Sequence, residues 1–141
     1  HPPAPPRGQG GKTLGRGGSV SAQKYVAKQV RAGLRGVSKK DLARVIIAYE
    51  PVWAIGADRA DTPEDASEMH RFIRGIVGDI SIFEQKNRDV PITIPITILY
   101  GGSVNAKNAA AFARQSDIDG LLIGRASTEI AELRRIIRSI Q

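Results

Sequence analysis

The chain has no cysteine, one tryptophan, one methionine and only two histidines in 141 residues. Lack of cysteine excludes disulfides and thiolate metal sites. Nothing near His1 or His70 completes a ligand set, so no metal and no other cofactor is expected. No apolar run approaches membrane-spanning length, which argues against a membrane partner. The N-terminus is rich in proline and glycine and has no apolar stretch of a secretory signal, so a cytoplasmic location is expected. Acid is scarce in one region: residues 1 to 44 hold ten Lys and Arg against a single Asp. That basic segment contains one aromatic, Tyr25, and no recognition motif, so solvated helix faces explain it better than nucleic-acid binding. A basic rim also suits a phosphorylated substrate.

What remains describes an ordinary globular chain, 41% hydrophobic and long enough for one domain with a moderate core. Residues 1 to 20 carry four of the eight prolines and six of the fifteen glycines, and read as a disordered basic tail. Within them, Gly11-Lys12-Thr13 lacks the upstream strand and glycine spacing of a phosphate loop. From Ser21 the pattern alternates. Ala22, Val26, Val30 and Leu34 form the stripe of a helix running to about Arg35, which Gly36 ends. Ser38, with Asp41 three residues on, opens another helical turn. Val45 to Tyr49 is a strand. Thr62-Pro63-Glu64-Asp65 then reads as a helix start, with Ala66, Met69, Ile73, Ile76 and Val77 on one face and His70 at its surface edge.

Val90 to Tyr100 favours β-structure, but Pro91 and Pro95 confine the strand to Ile96–Tyr100. The doubled Pro-Ile-Thr-Ile within this run has no explanation. Asn105 to Gln115 is a short helix and Gly120 to Ile123 a buried strand. Ser127 or Thr128 caps a last helix, whose inward stripe is Ile130, Leu133, Ile136, Ile137 and Ile140. Helices alternating with strands predict an α/β fold with a parallel sheet, either open and doubly wound or part of a (β/α)8 barrel. In both, ligands bind beyond the carboxyl ends of the strands.

Three stretches sit at those ends. In the first, the apolar run Val45 to Tyr49 stops on one carboxylate, Glu50, and Pro51 follows at once. The loop Pro51-Val52-Trp53-Ala54-Ile55-Gly56 is strongly apolar, as a lid that excludes water from a site would be. On chemistry alone, a core strand with a solvated terminal acid is an equally good reading. The others are Tyr100-Gly101-Gly102-Ser103-Val104 and Asp119-Gly120-Leu121-Leu122-Ile123-Gly124. Paired glycines let the backbone approach an anion, though such a pair also serves a tight turn.

Together, Ala48-Tyr49-Glu50-Pro51-Val52-Trp53-Ala54-Ile55-Gly56 and these two segments resemble the triosephosphate isomerase family, in its order and near its spacing. The resemblance covers about Ser21 to Ile140 and implies that residues 21 to 141 are the C-terminal part of a TIM barrel, about its last three strands with their helices. It implies Glu50 as the base that moves a proton between neighbouring carbons, Pro51 to Ile55 as lid, and Gly56, Ser103 and Gly124 as phosphate contacts. The base and lid roles are those that the resemblance implies.

The same resemblance implies a small phosphorylated sugar substrate and a homodimer for the complete enzyme. The family's oxyanion lysine and electrophilic histidine have no counterpart here, and neither His1 nor His70 replaces that histidine. Arg125 stands where the family usually has a second glycine, and Ala57-Asp58-Arg59 departs from its usual lid hinge. Arg125 leaves open a four-carbon ketose phosphate as substrate. A catalytically inactive half-barrel that binds phosphate or self-associates is a third reading.

Overall fold

The structure, a computed structural model, describes residues 20–52, 61–83 and 95–141. Residues 1–19 of the expected tail, and Trp53 to Gly56 of the expected lid, lie outside the described residues, while Val20, placed at the end of that tail, is already helical.

Helix α1 (Val20–Gly33) and the short α2 (Lys39–Leu42) precede strand β1 (Ile46–Tyr49). Gly36 breaks the helical run because its φ of 78° is a left-handed conformation that glycine adopts without a Cβ penalty. Ser38 caps α2 as expected: its Oγ accepts the Asp41 N–H at 3.3 Å and donates to Asp41 Oδ2 at 2.6 Å. The long α3 (Pro63–Phe83) begins where Thr62 Oγ1 accepts the Asp65 N–H at 3.1 Å. Strand β2 (Thr97–Tyr100), helix α4 (Ala109–Ala113), strand β3 (Gly120–Leu121), a 3₁₀ turn (Arg125–Thr128) and α5 (Ile130–Ser139) complete the order. Among the described residues no helix is long and apolar enough to cross a membrane.

The strands form one parallel sheet in the order β1-β2-β3. Ile47 pairs with Ile98, and Tyr49 with Tyr100, which in turn pairs with Leu121. Because side chains alternate along a strand, Ile47, Tyr49, Ile98, Tyr100 and Leu121 share one face. That face packs with Ala66, Met69, Ile73 and Val77 of α3, Ala109 and Phe112 of α4, and Ile136 of α5 into a single core.

Several expectations change. His70 is fully buried rather than at a helix edge. It stands four residues after Ala66 and three before Ile73, so it belongs to the centre of the inward stripe. Asn105 to Asn108 form side-chain-braced turns instead of helix, because Asn105 Oδ1 accepts the Lys107 and Asn108 N–H groups at 2.9 and 3.2 Å. Strand β3 is only two residues long and half-buried, with Leu122 exposed beyond it. Ser127 and Thr128 do not cap α5. Their hydroxyls donate back to the Gly124 and Arg125 carbonyls at 2.7 and 2.8 Å, closing the 3₁₀ turn. On α5, Ile136 is buried and Leu133 partly so, while Ile130, Ile137 and Ile140 are exposed. Among the described residues, helix α5 packs mainly against the 3₁₀ turn and α4.

Candidate functional site

The sheet's register brings the candidate residues to one end. Glu50 follows β1 directly, Gly101 to Ser103 follow β2, and Gly124 with Arg125 follows β3. The Gly101 N–H donates to the Tyr49 carbonyl at 2.9 Å, which extends the β1–β2 ladder to the base of Glu50. The Glu50 side chain then lies across Gly101. A Cβ at position 101 would sit 2.7 Å from Glu50 Cγ and 3.3 Å from its Oε1. A side chain at Gly101 would therefore push the exposed Glu50 carboxylate away from the second strand. Pro51, directly after the acid, is buried and Val52 is exposed.

Gly102 meets a different neighbour: a Cβ there would collide with the Tyr100 ring and hydroxyl. Tyr100 is the hub of this end. Its ring stacks on Phe112 with centroids 4.1 Å apart and planes 11° from parallel. Its Oη accepts the Asp61 N–H at 3.2 Å, tying β2 to the residue that precedes the α3 cap. Burial pushes the Tyr100 hydroxyl up to about 12, so it is a neutral donor and acceptor at any working pH. Burial, then the nearby Asp61 charge, also raises the Tyr49 hydroxyl.

The loop after β2 is held from α4 and α5. Asn108 Nδ2 donates to the Ser103 carbonyl at 2.8 Å, and Asn108 Oδ1 accepts the Asn105 N–H at 2.8 Å. Glu132 of α5 reaches across to accept the Ala106 N–H at 2.8 Å, which with Arg135 holds its carboxyl below the usual range. After β3, Gly124 leads into the 3₁₀ turn, and the Ser127 N–H donates to its carbonyl at 2.9 Å. Arg125 is exposed on that turn.

Two features that the sequence reading missed lie behind this rim. The first is His70, whose ring stands edge-on to Tyr49 at 5.8 Å and tilted to Tyr100 at 6.5 Å. Neither ring nitrogen has a hydrogen-bond partner among the described residues. Burial lowers its pKa to about 4 despite the nearby Asp117 and Asp119, so the imidazole is neutral at pH 7. The second is a polar clasp between α3 and the N-terminal ends of β2 and β3. Arg74 donates to the Ile96 carbonyl at 2.8 Å, the Asp117 carbonyl at 3.2 Å and Asp119 Oδ2 at 2.9 Å. Asp119 Oδ2 also accepts the Ile98 N–H at 2.7 Å. Burial raises the Asp119 carboxyl, but Arg74 and the Ile98 N–H outweigh it and hold the group below its ordinary value. Beside it, Arg71 donates to Asp117 at 2.7 Å and Ser67 to the same oxygen at 3.1 Å. The clasp's only advance signal was an acid pair, Asp117 and Asp119, immediately before an apolar strand.

Among the described residues no group of three or more His, Cys, Asp or Glu side chains could hold a metal ion. The end of the sheet offers a carboxylate beside a flat glycine surface, a glycine-serine loop and a second glycine turn. Such a set can move a proton and bind an anion.

Comparison with known proteins bears on the same segments. The family model described as triosephosphate isomerase matches residues 11–140, beginning at Gly11-Lys12-Thr13-Leu14. The triosephosphate isomerase of Chloroherpeton thalassium is 44% identical over 131 residues, covering 93% of this chain and 49% of that protein. That of Marinobacter nauticus is 43% identical over 129 residues, with 92% and 48% covered. That of Borrelia garinii subsp. bavariensis is 39% identical over 130 residues, with 92% and 49% covered. The chain spans about half the length of the curated relatives it matches. With the family match running through all three strands and the segments that follow them, the chain belongs to the triosephosphate isomerase family.

Proposed function

We propose that this chain carries the base and the phosphate-binding segments of an aldose–ketose isomerase that interconverts dihydroxyacetone phosphate and glyceraldehyde 3-phosphate. The observation that carries the reading is the placement of Glu50 at the tip of β1, lying across Gly101 at the start of the glycine-serine loop. In the reaction, the Glu50 carboxylate takes a proton from the carbon next to the substrate carbonyl, leaving an enediolate. The proton then returns to the neighbouring carbon as the carbonyl and hydroxyl exchange places. Amides of Gly56, Ser103 and Gly124 hold the phosphate, and Pro51 to Ile55 close over it. Donors for the enediolate oxygens come from outside this chain, and such groups often contribute about 3–4 kcal/mol each to lowering a barrier. The chain alone is therefore inactive on this reading. The complete enzyme is a cytoplasmic homodimer that needs no cofactor.

Replacing Glu50 by Gln in the complete enzyme lowers kcat by roughly three orders of magnitude or more with modest change in KM, because the carboxylate acts in the transition state. Near-wild-type turnover of Glu50→Gln would exclude Glu50 as the base.

One observation favours a second reading. Arg125 stands exposed at the turn after β3, where a cation can meet a longer substrate, so the same chemistry on a four-carbon ketose phosphate is the alternative. Arg125→Gly then shifts relative kcat/KM toward the three-carbon substrate, and an unchanged ratio removes Arg125 from substrate choice.

A further inference from the structure

The loop that follows β2 contains two adjacent glycines, and its backbone would rotate freely unless something held it. The brace is Asn108. Its side chain donates to the Ser103 carbonyl and accepts the Asn105 N–H, both at 2.8 Å. The amide can be oriented in only one way, since the carbonyl requires a donor and the N–H an acceptor. No other side-chain type of this length presents both at one rigid, planar tip.

Asn108 is itself anchored. Its backbone carbonyl accepts the Ala111 and Phe112 N–H groups at 3.0 and 3.3 Å, opening α4. Phe112, one turn on, stacks against Tyr100. The Ser103 segment is thus joined to β2 twice, once through the chain and once through Asn108, α4 and the stacked pair. Fixing the Ser103 carbonyl fixes the plane of the peptide that carries the Val104 N–H. It also restricts the turn in which the Ser103 N–H and hydroxyl are displayed.

We propose that Asn108 is a positioning residue for the phosphate site, holding the Ser103 segment in its anion-binding arrangement without touching substrate. The proposal rests on the reading that Ser103 contacts the substrate phosphate. It predicts a defect confined to phosphate-bearing ligands, because preorganised donors lose affinity when their support is removed.

The test uses the complete enzyme with Asn108→Ala, and Asn108→Ser should the first variant fold poorly. For triose phosphate, KM rises about tenfold while kcat stays within about twofold, as loss of ground-state and transition-state binding alike requires. The inhibition constant of inorganic phosphate rises by a similar factor. Turnover of glyceraldehyde, which has no phosphate, is unchanged. Equal losses on glyceraldehyde and triose phosphate would make Asn108 a general structural residue and overturn the proposal. Ser103→Pro, which removes the amide N–H read as a phosphate donor, runs in parallel. If it leaves phosphate inhibition unchanged, the phosphate-site reading falls and the Asn108 role falls with it. If it weakens inhibition but Asn108→Ala and Asn108→Ser do not, the Asn108 proposal alone is wrong.

Discussion

On the face of the sheet turned to the helices, Ile98 and Tyr100 are fully buried and Tyr49 nearly so. On the opposite face Ile46 is 65% exposed, Ala48 is open, and Leu122 is 41% exposed. Both faces are apolar in sequence. The covered one packs into the core with residues of α3, α4 and α5, whereas the bare one is left open at Ile46, Ala48 and Leu122. Glu50 continues the alternation of the bare face, following Ile46 and Ala48 at two-residue steps. One face holds the chain together, and the other leads to the candidate chemistry. In the barrel expected of this family, the bare face is the one that lines the interior.

The largest effect expected on stability comes from emptying the covered face. Ile98→Ala in the complete protein removes a fully buried side chain between the α3 stripe and the clasp, costing about 3 kcal/mol. Urea unfolding measures it, and a loss below about 1 kcal/mol would mean that this face is not the core.

A comparable effect follows from pH. His70 titrates near 6.5 in an unfolded chain and near 4 when folded. As pH falls below 6.5 the unfolded state takes up its proton first, so stability is full above that pH and declines down to about 4. The loss across that window is about 3 kcal/mol from this group. Protonation places a cation among Tyr49, Tyr100, Arg74, Asp117 and Asp119, where burial and Arg74 oppose it and the Asp117 backbone and the two carboxylates favour it. Asp117 and Asp119 are themselves held below their ordinary range, so their contribution is lost at still lower pH. Thermal unfolding from pH 7 to 4 reads the slope, which should flatten between 6.5 and 4 in His70→Leu.

The clasp contributes less, because water reaches it. Arg74 and Asp119 are 30% and 34% exposed, so Arg74→Met costs only about 1–2 kcal/mol. Its signature is a raised Asp119 pKa, visible by NMR titration, and an unmoved Asp119 would show that the pair is not formed.

The legible parts of this molecule were local patterns. The α3 start at Thr62-Pro63, the Ser38 cap, the glycine stop at Gly36 and the parallel alternation could all be read because neighbours in sequence determine them. The end of the sheet was legible through its three segments, whose residue types depart from ordinary core strands. What escaped reading depends on partners far along the chain. Tyr100 to Asp61 spans 39 residues and Arg74 to Asp119 spans 45, and no spacing rule links them. His70 was misplaced because imidazole is neither clearly apolar nor clearly polar, so its seat on α3 depends on Tyr49 and Tyr100. The inward stripe expected on α5 failed because periodicity shows that a face is apolar without showing what covers it.

The smallest effect on stability is expected on the bare face. Ile46→Lys in the 141-residue chain replaces a side chain that is 65% exposed, and should change stability by no more than about 0.5 kcal/mol. Its effect on association should be much larger. Among the described residues strand β1 is an outer strand of the sheet, with no strand paired to its outer edge beside the apolar residues at 46 and 48. Free edges and apolar patches both invite pairing between chains, and a lysine opposes both. Light scattering of the unsubstituted chain should report oligomers, and Ile46→Lys should reduce them. In the complete enzyme the outcome should reverse. If the barrel closes over this face, the ammonium introduced by Ile46→Lys points a charge toward its interior and costs several kcal/mol. Equal and small costs in both proteins would show that the bare face remains open in the complete enzyme, and that the barrel does not close over it.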